Sequence, residues 1–69
     1  MMMRVGDWVE NADSVVMGIH RLSSFIGGTV QRFQDKWGVQ YIVMKDDMPV
    51  ASVEMGRLED RNLLTVTLY

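Results

Sequence analysis

His20 is the only imidazole in the chain, and Asp13, Ser14, Ser23 and Ser24 all lie close to it in sequence. Those are the residue types of a Ser-His-Asp relay, in which an imidazole takes a hydroxyl proton and a carboxylate steadies the imidazole. A relay needs three groups converging on one point, with an oxyanion site beside them. Neighbours along one short segment do not supply that convergence, and no G-x-S-x-G elbow is present. His20 therefore reads as a surface or boundary residue, and no catalytic residue is assigned. The chain is expected not to be an enzyme.

Two acidic pairs, Asp46-Asp47 and Glu59-Asp60, offer oxygen ligands for a hard cation. A calcium loop needs several such ligands at fixed offsets with a glycine between them, which neither pair has. Asp46-Asp47 instead sits between apolar runs, before Met48-Pro49, where aspartate suits a tight turn. Gly27-Gly28 lacks the further glycines and the following helix of a phosphate cradle, so it reads as a turn. With no cysteine, thiolate metal sites and disulfides are excluded. No metal, cofactor or small-molecule substrate is expected.

Contact is the chemistry that remains. Trp8, Trp37 and Tyr41, with Phe25 and Phe33, are the types that line a shallow groove for an extended peptide. Tyr41 and Phe33 are assigned to the core, because aromatic residues dominate small cores. Trp37, at a hairpin tip, is the aromatic hardest to bury. Val15, Ile19, Leu22 and Ile26 fall at i, i+4, i+7 and i+11, one helical stripe that packs on the remaining structure or presents an apolar patch. Trp8, Trp37, Phe25, Ile19 and Leu22 are accordingly the candidate partner-binding residues.

The whole chain bounds what such a surface meets. Sixty-nine residues make one domain, 1–69, with the first three residues expected to fray. Apolar residues are 48% and charged residues 23%, ordinary for a folded domain. The formal net charge is −2, and the seven Lys and Arg are scattered, so the overall field does not recruit a polyanion. Nucleic acid is thus the lesser partner, and an unidentified protein or a second copy the greater. No apolar run approaches the ~20 residues of a membrane span, and no secretory signal is apparent. The cytoplasm is the expected compartment.

Periodicity places these residues on elements. Val39-Gln40-Tyr41-Ile42-Val43-Met44-Lys45 is rich in β-branched and aromatic types and reads as a strand. Residues 29–33 supply its hairpin partner across a Gln34–Gly38 loop, with Gly38 at positive φ. Residues 50–55 and 63–68 alternate apolar with polar, as half-buried strands do. A strand at 5–10 begins the chain, and a single turn, of 3₁₀ type, fits 56–60. Residues 13–26 favour a helix, capped by Asp13 or Ser14 and ended by Gly27 in the left-handed region, over an extended excursion that the β-branched pair Val15-Val16 also suits. Gly18 inside that helix costs about 1 kcal/mol.

The order of these signals resembles an SH3-like barrel, of the kind found in small bacterial and phage proteins and in KOW domains. Val5-Gly6-Asp7-Trp8-Val9, Gly28-Thr29-Val30 and Gly38 through Val43 carry the resemblance. Pro49 through Val53, and Arg57-Leu58-Glu59 before the last strand, complete it. It implies a mainly β fold, a small five-stranded barrel with a short helix at 13–26. Closure would remove the exposed strand edges. The functional expectation is a non-catalytic protein-interaction module. The alternative is a KOW-like nucleic-acid-associated domain, although only Arg32 and Lys36 are basic near the relevant hairpin, offset by Asp35.

Overall fold

The computed structural model describes residues 2–6, 12–58 and 61–69, with the side chains of residues 13–56 and 64–69. It is mainly β with one helix: β1 (Met2–Gly6), α1 (Ala12–Ile26), β2 (Thr29–Asp35), β3 (Gly38–Lys45), β4 (Met48–Leu58) and β5 (Arg61–Leu68). Strands β2 to β5 form an antiparallel meander, and β1 adds to the far side of β5, giving the order β1-β5-β4-β3-β2. The sheet is open. The expected barrel does not close, because β1 and β2 are opposite edges with three strands between them. The physical reason lies in α1, which joins those edges and covers the apolar face as a second layer, so that the sheet need not cover itself.

The register explains which residues that layer buries. Val30, Val43, Ala51 and Leu68 form one cross-strand row, Arg32, Tyr41, Val53 and Val66 the next, and Gln34, Val39, Met55 and Leu64 a third. Side chains alternate faces along each strand, so all three rows share the helix side. Val43, Ala51, Val53 and Met55 are buried there with Ile19 of α1, and Val15, Val16 and Ile26 pack against them. The opposite face is largely polar, as in the row Gln31, Ile42, Ser52 and Thr67. No buried side-chain polar atom among the described residues lacks a hydrogen-bond partner.

The helix ends as its glycine requires. Gly27 has φ of 72°. Its N–H donates to the Ser24 carbonyl at 3.3 Å, and the Gly28 N–H donates to the Ser23 carbonyl at 2.9 Å. That pair of bonds is a Schellman cap, which satisfies carbonyls the last turn leaves open. Lys45 Nζ donates to the Ile26 carbonyl, placing a cation at the negative end of the helix dipole.

Asp46 and Asp47, at φ of 53° and 63°, make the two-residue turn between β3 and β4. Both central residues lie in the left-handed region, the primed geometry that matches strand twist. The β2–β3 loop is shorter than expected, only Lys36 and Trp37, since pairing reaches Asp35 and Gly38. Asp35 Oδ1 accepts from the N–H groups of Trp37 and Gly38 at 2.8 and 3.0 Å, with the aspartate-first, glycine-last signature of a type I turn. Gly38 does not take positive φ. Its glycine is needed for closeness, because a Cβ there would meet the Met55 carbonyl and stand 2.6 Å from Gly56 Cα.

Two further expectations change. Residues 56–58 are not a separate turn but continue β4, pairing with residues 61–63 of β5. The expected first strand, 5–10, overlaps β1 at Val5 and Gly6, and its remainder lies outside the described residues. A register shift at Val43/Met44 leaves Val50 as the extra residue of β4, next to Pro49, where a missing N–H is tolerated. The Val50 carbonyl instead accepts from the Tyr69 N–H at 3.1 Å.

Candidate functional site

Because α1 rests on the sheet along one side only, its other side is free to make contact. The buried line runs through Val15, Val16, Ile19, Ser23 and Ile26. It is turned from the expected stripe toward Val16 and Ser23, so Leu22 moves out to the exposed margin. Ser23, 5% exposed, takes the inward place. Ile19, also 5% exposed, belongs to the core, so the partner contact expected of it has no surface to act through.

Opposite that line stand Met17, Arg21 and Phe25 at i, i+4 and i+8, which share one helical face. Phe25 is 89% exposed and Met17 is exposed as well. Met17, His20, Arg21, Ser24 and Phe25 line a shallow, nearly flat stretch of surface that is open to solvent. A Phe side chain left in water forgoes roughly 1.5–3 kcal/mol of burial free energy. Scattered exposed apolar residues are normal, but Met17, Leu22 and Phe25 lie together on one element, which makes a patch. At its centre Arg21 pairs with no carboxylate among the described residues.

His20 does not join a relay. Asp13 lies on the same helix two turns away, about 10 Å along the axis at 1.5 Å per residue. Ser23 points into the core, and no hydrogen bond links His20 to Ser24. The imidazole instead meets the Tyr41 ring edge-on, with centroids 6.3 Å apart. Arg32 Nε donates to Tyr41 Oη at 3.2 Å, and its Nη2 donates to Gln34 Oε1 at 2.7 Å. Arg32 is thus a charge on the helix side of an edge strand. Such inward charges discourage a second strand from pairing with an open edge.

The β2–β3 hairpin is a second exposed region. Trp37 at its tip is 62% exposed, with Lys36 Nζ 4.4 Å above its ring, and Phe33 is exposed on the polar face. Phe33 was expected in the core. The one-residue alternation set by Val30 and Val43 sends it outward instead, opposite Gln40. Tyr41 does face the helix and packs on the core. Trp8 lies outside the described residues. No three His, Cys, Asp or Glu among the described residues are grouped to hold a metal. No helix among them is long and apolar enough to cross a membrane. No family model, curated protein or solved structure matches the chain.

Proposed function

We propose that this protein is a non-catalytic interaction module whose working surface is the outer face of α1. The observation that carries the reading is Phe25, almost wholly in water beside Met17 and Leu22 on a helix already seated on the sheet. The inner face of α1 accounts for the fold, so the fold does not require an aromatic residue on the outer face. Binding through a few desolvated aromatic and apolar anchors, with arginine among them, is how protein interfaces gain most of their energy.

The KOW-like alternative draws on the β2–β3 hairpin, where Lys36 lies over exposed Trp37 with Phe33 nearby in the chain. Aromatic platforms with adjacent cations stack nucleobases. The negative net charge works against it, and the hairpin adds Asp35 beside its two cations.

One experiment separates the two readings: affinity capture with the tagged protein, with and without nuclease, comparing Phe25→Ser and Trp37→Ala. The module reading expects a protein partner that survives nuclease and is lost with Phe25→Ser. Partners that vanish with nuclease and with Trp37→Ala would put nucleic acid first.

A further inference from the structure

The outer face of α1 pairs an apolar patch with a cation, Arg21, that meets no carboxylate among the described residues. The complementary surface is present on the same molecule. At the β3–β4 turn, Asp46 and Asp47 are exposed and meet no cation among the described residues. Met48 beside them is 68% exposed. One surface thus carries Arg21 between Met17 and Phe25, and the other carries two carboxylates beside a flexible thioether that fills irregular gaps.

The two surfaces lie toward the same end of the molecule. Lys45, directly before the turn, reaches the carbonyl of Ile26 at the end of α1, one residue after Phe25. Two adjacent complementary patches suit a two-fold contact, in which each turn rests on the other copy's helix and both contacts are made at once. Edge-to-edge pairing through β2 is the competing route to a dimer, and inward-facing Arg32 opposes it.

We infer that the occupant of the α1 face is a second copy of this chain. Its Asp46-Asp47-Met48 turn rests on the helix face between Met17 and Phe25, with its carboxylates against Arg21. This rests on the interaction-module reading and names its partner.

The test is sedimentation equilibrium of the full chain over a dilution series, with circular dichroism on each variant. The wild type should move reversibly from monomer to dimer. Arg21→Glu, and separately Asp46→Asn/Asp47→Gly, should each raise the dimer dissociation constant about tenfold or more, as removing one partner of a close interfacial charge pair does. Neither variant should associate alone as the wild type does, but Arg21→Glu mixed with Asp46→Lys should recover part of the dimer, since one contact keeps Arg21 against both carboxylates and the other sets the introduced glutamate against the introduced lysine beside Asp47. Lysine is strained at the Asp46 backbone geometry; if Asp46→Lys does not fold, the Asn-Gly variant, which keeps the turn, decides the matter. A wild type that stays monomeric at every concentration, or a dimer indifferent to both substitutions, would overturn the second-copy inference. The reading beneath it stands or falls separately, on whether Phe25→Ser abolishes nuclease-resistant capture of any protein, an untagged copy of this chain included.

Discussion

Glycine acts in opposite ways at two positions of this chain. At Gly18, on the exposed side of α1, a Cβ would meet nothing within 4 Å. Alanine there removes the entropy that glycine costs a helix, so Gly18→Ala should raise stability by about 0.5–1 kcal/mol in a urea titration. At Gly38 a Cβ would press on the backbone of Met55 and Gly56. Gly38→Ala should therefore lower stability by roughly 1–3 kcal/mol, the usual cost of overpacking. Both effects follow from the space around a single atom. Composition alone did not distinguish them: Gly38 was expected to serve a positive φ, and only the paired strands reveal that closeness is what it provides.

At the level of elements, punctuation was the most legible part of the sequence. Gly27 after the helical run, and Asp46-Asp47 between two apolar runs, mark the Schellman cap and the primed turn where they stand, because both depend on local backbone chemistry. The turn gives a direct prediction. Asparagine followed by glycine occupies that geometry more readily than two aspartates. At dilutions where the wild type is monomeric, Asp46→Asn/Asp47→Gly should raise the denaturation midpoint while leaving the sheet's circular dichroism unchanged. Helix facing was less legible. Val15, Val16, Met17, Ile19, Leu22, Phe25 and Ile26 are apolar almost all the way round, so the spacing admits more than one buried line. The sheet chose the line through Ser23, where a small side chain meets it, and left Phe25 and Met17 outside. Phe33 was misplaced for a related reason, since strand facing is fixed by pairing with β3 rather than by the residue's own apolarity.

The whole molecule is a two-layer assembly rather than the closed barrel that the order of its motifs suggested. Local signals describe strands and turns equally well for both, and the position of β1 beside β5 is a long-range fact that no short motif contains. With one thin core, the margin is narrow. Met55 is buried at the centre of that core with Val43. Met55→Ala should cost about 2–5 kcal/mol, a large share of a total stability near the low end of roughly 5–15 kcal/mol. Thermal denaturation followed by circular dichroism would show a lost or strongly lowered transition. Self-association would widen this margin by mass action, since a partner that binds only the folded chain stabilises it. A midpoint that rises with protein concentration is therefore part of the same account.

Within α1 the inner face holds the fold, and we propose that the outer face holds a second copy of the chain. An amide nitrogen–proton spectrum of the labelled protein, recorded along a dilution series, tests it most directly. Concentration-dependent shifts are expected at Met17, Arg21 and Phe25 and at Asp46 to Met48, with the amides of β2 unmoved. Shifts that follow β2 from Thr29 to Asp35, or a spectrum that does not change on dilution, would contradict it.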